Sequence, residues 1–95
     1  MGSIYVRTPG ILEKKLDDEL LLIDNETDVI FNLNPLGTAV WRFLDTPRQT
    51  DEIMTVLGAA FPGVPKEKIR EDISRLLGQL VDCKLLVVQK NALNS

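Results

Sequence analysis

The chain contains no histidine and a single cysteine, Cys83. One thiol cannot form an internal disulfide framework, and without imidazole there is no Cys/His zinc site and no Ser–His or Cys–His nucleophile. Neither a P-loop nor a Gly-x-Gly-x-x-Gly turn is present, so nucleotide binding has no visible seat. The acidic cluster Asp17-Asp18-Glu19 stands in a turn without a further ligand and reads as solvated charge rather than a metal site. The remaining carboxylates lack a partner base, so no catalytic residue, metal ligand or cofactor is expected, and an enzyme is the least favoured class. No apolar run approaches the roughly 18 residues that span a bilayer. The start, Met1 to Arg7, lacks a basic region followed by an apolar stretch, and Val6 stands where a myristoylation signal has Ser or Thr. The expectation is a soluble, cytoplasmic protein with no membrane partner.

What is present is ordinary for a globular protein: 95 residues, 44% hydrophobic and 26% charged. That length offers one core, so a single domain over residues 1–95 is expected. The net charge of −3 is uneven, with four basic and eight acidic side chains in residues 1–47 and seven and six in residues 48–95. Neither half is a basic nucleic-acid surface.

The hydrophobic period changes once, near Asn34. Before it, Ile11–Leu16, Leu20–Ile23 and Val29–Leu33 are short apolar stretches separated by turn signals, predicting an antiparallel meander. In the third, Val29, Phe31 and Leu33 share one face, while Ile30 and Asn32 share the other. Asn34-Pro35 then places a strong N-cap before a residue whose missing N–H costs nothing at the first helical position. Leu36, Val40, Trp41 and Leu44 follow at helical spacing, and the indole N–H of Trp41 is expected to find a backbone acceptor in the core. Thr50 opens a second helix with Ile53, Val56, Leu57, Ala60 and Phe61 as its stripe. After Pro62-Gly63-Val64-Pro65, a third helix covers about Lys66–Asp82, Leu85–Val88 reads as a strand, and Asn91–Ser95 as a frayed tail. The fold class is α+β: an N-terminal three-stranded antiparallel meander, then a three-helix unit resembling a winged helix-turn-helix with a short C-terminal strand.

Leu33-Asn34-x-x-Gly37-x-x-x-Trp41-x-x-Leu44-Asp45, then Thr50-Asp51-Glu52-Ile53 with Leu57 and Phe61, then Asp72-Ile73 with Leu76, Leu80 and Leu85-Leu86, resembles the PqqD-like family. Arg7-x-Pro9 through Glu19-Leu20-x-Leu22-Ile23 resembles that family's N-terminal hairpin. The likeness spans about residues 5–88, and no single piece of it is specific by itself. The chain departs at Asp45-Thr46-Pro47, where the family often has Asp-Gly, and at Lys84-Leu85-Leu86, where it often has Gly-Leu-Leu. The resemblance implies a recognition element for ribosomally made, modified peptides. Such a domain takes a precursor's leader segment as an added strand and presents it to a modifying enzyme, often a radical SAM protein.

The implied site is the third strand, Val29, Ile30, Phe31, Asn32 and Leu33, with Arg70, Ile73, Ser74, Leu77 and Val81 on the third helix. The strand contains no Lys, Pro or inward charge to blunt an edge, so left open it is a liability unless something pairs with it. The alternative is that it lies at the centre of the meander or beneath a helix. On the helix, Ile69, Ile73, Leu76 and Leu80 form one narrow stripe. Leu77 and Val81 lie to one side, toward Arg70 and Ser74. They form a groove wall, with Arg70 pairing an acid on the leader, or they pack inside. Two other functions stay open: a winged-helix DNA-binding protein, weakened by the near balance of charge on the third helix, and an oligomerisation or adaptor domain. The chain is expected to be a monomer or weak homodimer.

Overall fold

A computed structural model describes residues 3–90. The elements are β1 (Ser3–Arg7), β2 (Leu12–Leu16), β3 (Glu19–Asp24), β4 (Val29–Leu33), α1 (Pro35–Phe43), β5 (Arg48–Gln49), α2 (Thr50–Ala60), α3 (Lys66–Asp82) and β6 (Leu86–Lys90). The expected tail, Asn91–Ser95, lies outside the described residues.

The expected meander forms as an antiparallel sheet of order β2-β3-β4. Its turns use left-handed backbone at Asp17 (φ 56°) and Asp28 (φ 59°), a conformation that short Asx side chains tolerate better than most. Asp24 Oδ1 accepts from the Glu26 N–H at 3.0 Å and starts the second turn. The period-2 pattern of β3 is complete, with Leu20, Leu22 and Asp24 buried and Glu19, Leu21 and Ile23 half-buried on the opposite face.

α1 packs directly on the buried face, and α2 and α3 join it in one hydrophobic core. Asn34 Oδ1 accepts from the Gly37 N–H at 2.8 Å and caps α1, whose first residue is Pro35. Gly37 suits a close approach: a Cβ there would lie 3.0 Å from Leu33 Cδ2, so the Leu33 side chain would have to shift to admit it. α1 therefore starts hard against the end of β4. α2 opens at Thr50 as expected, with Gln49 as its cap; the Gln49 N–H donates to Glu52 Oε1 at 3.0 Å, and Asp51 and Glu52 sit where the helix dipole favours acids. The stripe of α2 is narrower than its sequence implies, because Ile53 and Leu57 are buried while Val56 remains 45% exposed. α3 buries Ile69, Ile73, Leu77 and Leu80. It ends in a Schellman motif, in which the Leu85 N–H donates to the Leu80 carbonyl and the Lys84 N–H to the Val81 carbonyl, both at 2.9 Å. Lys84 occupies the left-handed position of that motif with φ 63°.

A second sheet, of order β5-β1-β6, was not foreseen by the sequence. Ser3–Arg7 pairs antiparallel with Leu86–Lys90, and Ile4 and Tyr5 meet Gln49 and Arg48 on the other side. Arg7 joins the two sheets. Its guanidinium donates to the Trp41 carbonyl, stacks 4.6 Å from the Trp41 ring centroid and pairs with Glu13 at 3.4 Å. Trp41 is core, 1% exposed, but its indole N–H donates to Glu13 Oε2 at 2.8 Å and not to a backbone carbonyl as expected. The reason is that the fold brings the Glu13 carboxylate of β2 to the indole, a charged acceptor supplied from 28 positions away.

Candidate functional site

Each sheet has open edges, and they differ chemically. β2 forms one outer edge of the meander, and Glu13, Lys14 and Lys15 are all exposed on it, which blunts backbone pairing. β5 is two residues long and offers little backbone. β6 is the outer strand of the second sheet, with Val87 and Val88 exposed. β4 is the other edge of the meander. No strand among the described residues pairs with its free side, and Val29-Ile30-Phe31-Asn32-Leu33 carries neither charge nor proline. The reading in which this strand is central does not hold: β3 takes the centre.

The side chains of β4 divide as the alternation dictates. Leu33 is buried, Val29 and Phe31 are half-buried against the core, and Ile30 and Asn32 are exposed on the outer face. Asn32 Nδ2 donates to Glu19 Oε1 at 3.3 Å across that face. The end of β4 is fixed, since Leu33 is 1% exposed and its carbonyl accepts from Thr38 Oγ1 at 3.3 Å.

Where β4 runs into α1, a cavity of about 220 Å³ opens against α3, lined by Asn34, Leu36, Asp72, Arg75, Leu76 and Gln79. Leu36 and Leu76 are half-buried and supply its apolar surface. Asp72 carries both cations of this flank: Lys68 Nζ and Arg75 Nη1 each approach it at 3.3 Å. Lys68 and Arg75 are 62% and 63% exposed, so these are weak surface pairs from which a ligand can draw a cation at little cost. The rim therefore presents two positive charges against one negative.

The other residues singled out on α3 are dispersed. Ile73 (0% exposed) and Leu77 (2%) are core, so of the two readings for Leu77 the structure has the inward one. Val81 is half-buried against the same core, and Ser74 is exposed. Arg70 lies on the flank toward α2, at a crevice of about 300 Å³ shared with Lys66, Met54 and Ile69. Asp72, Arg75, Leu76 and Gln79 instead border the end of β4. At about 100° per residue, Arg75 stands some 140° around the helix from Arg70. The sequence held the signal that Asp72 and Gln79 share a flank, but not which flank turns toward the strand.

The geometry defines a class of protein: a small winged-helix-like fold with an unpaired strand edge beside a helix-lined cleft. The family model for coenzyme PQQ synthesis protein D (PqqD) matches residues 19–86, and the chain belongs to this family. No curated protein matches the chain. Among solved structures, TbiB1 in complex with the TbiA(beta) leader peptide superposes with a TM-score of 0.76 at 22% identity, over 90% of this chain and 99% of that one. That likeness establishes the fold. No helix among the described residues is long and apolar enough to cross a membrane.

Proposed function

We propose that the protein is a non-catalytic peptide-binding module. It takes an extended leader segment of a ribosomally made precursor as a fourth strand beside β4 and presents it to a separate modifying enzyme such as a radical SAM protein. The observation that carries this reading is the free edge of Val29–Leu33, unblunted and bordered at one end by the cleft of Leu36 and Leu76. Main-chain hydrogen bonds to an added strand supply affinity, and pockets for alternate side chains supply selectivity. The matched stretch, residues 19–86, contains β4 and α3 whole and leaves out all of β6 except Leu86, which favours β4 over the other open edge. The structural neighbour TbiB1 is described with a leader peptide bound, which agrees with a peptide as the ligand class.

The cations of the cleft add a preference. A guest acid placed beside Arg75 would draw it from Asp72, so an acidic residue flanking the strand-forming segment strengthens binding. The role first assigned to Arg70 thus passes to Arg75. The test is titration of the purified chain with synthetic leader segments of short peptides encoded beside its gene. Micromolar or tighter binding, weakened by Arg75→Ala and unaffected by Arg70→Ala, is expected. Binding that depends on Arg70 and not on Arg75 would move the site to the α2–α3 crevice and end this reading.

A further inference from the structure

The outer face of the meander is only partly polar, although solvent-facing sheet surfaces usually are polar. Register sets Leu12 opposite Ile23 and Ile23 opposite Ile30, so the three form one apolar row across the sheet. Leu12 is 51% exposed and Ile30 is 67% exposed, the highest value among the large apolar side chains described, whereas Ile23 between them is half-buried. Ile23 has a neighbour on each side. Ile30 has one, because its other side is the free edge.

The adjacent row changes character. Lys14, Leu21 and Asn32 stand in register, and Asn32 is engaged by Glu19. The apolar demand on the outer face at the edge is therefore confined to Ile30.

We infer that the side chain a guest strand places opposite Ile30 is a specificity determinant. The ligand class is then a segment with three consecutive apolar residues, opposite Val29, Ile30 and Phe31. This deepens the strand-addition reading and rests on it. Directly opposed residues on neighbouring strands bring their Cβ atoms to about 5 Å, close enough for a guest Val, Ile or aromatic residue to complete the row as its fourth member. Guest residues opposite Val29 and Phe31 turn inward, where those two side chains are only half-buried. A half-exposed strand ordinarily alternates apolar and polar residues; here the middle position is apolar as well, and a polar residue belongs opposite Asn32.

The experiment is selection of a random decapeptide library displayed on phage against the full chain and against Ile30→Lys. The register of the enriched peptides is set by cross-strand nuclear Overhauser contacts to β4. For the wild type, enriched peptides are expected to be apolar opposite Ile30, and Ser at that position weakens binding by about fivefold. Against Ile30→Lys, the same position turns acidic while the positions facing Val29 and Phe31 keep their preference. If peptides pair with β4 but tolerate Ser or Lys opposite Ile30 as well as Val, the inference fails and strand addition survives. If enriched peptides perturb another surface, or none enrich, both fall. Sedimentation of the two proteins without peptide closes the remaining route: a wild-type dimer that Ile30→Lys dissociates assigns the row to self-association and overturns the inference.

Discussion

The indole of Trp41 is where β1, β2 and α1 are tied together, through Arg7 and Glu13. Replacing Glu13 with Leu leaves a buried N–H without its acceptor and Arg7 without its counter-ion. A loss of about 1 kcal/mol in unfolding free energy is expected, since removing one partner strands the other's desolvation cost. Glu13→Gln keeps an acceptor and should recover most of it; chemical denaturation reads both. Lys84 is the opposite case. A Cβ-bearing residue in the left-handed helical region is disfavoured, and the Schellman position favours glycine, so Lys84→Gly should raise stability by about 1 kcal/mol in thermal unfolding. The Thr8 hydroxyl would still donate to the residue 84 carbonyl, because that bond uses backbone. Asn34 and Pro35 were legible in the sequence because a cap and its helix are neighbours. The Glu13–Trp41 bond spans 28 positions, and no local pattern announces it.

Among the elements, α3 shows how far periodicity reaches. Its span, Lys66–Asp82, follows from the apolar spacing and the Pro62–Pro65 stop, and β4 follows from its alternation. The apolar spacing of α3 does not say which edge of the apolar set turns inward: Leu76, within the expected stripe, is half-buried and lines the cleft, while Leu77, to one side of it, is core. Hence Leu77 reads equally well as core or groove wall, and only packing decides. Two substitutions separate the roles. Leu77→Ala empties a site 2% exposed and should cost about 2–5 kcal/mol of stability. Leu76→Ser, at the half-buried cleft lining, should leave the fold intact by circular dichroism and weaken peptide binding by about 1 kcal/mol in calorimetric titration.

Over the whole molecule, the open edge is tolerable because the rest of the chain is closed around it. Asn34 and Gly37 hold α1 at one end of β4, β3 covers one side, and the core beneath holds Leu33 in place. The second sheet was invisible beforehand because Ser3–Arg7 finds its partner in Leu86–Lys90, at the opposite end of the chain. Amide hydrogen exchange measured with and without a bound leader segment tests the central claim most directly. In the free protein, alternate amides of Val29–Leu33 should exchange as open-edge groups and those of Leu20–Ile23 slowly, and peptide should slow the β4 amides selectively. Slow exchange throughout β4 before any peptide is added, or protection that arises on β6 instead, would contradict the account.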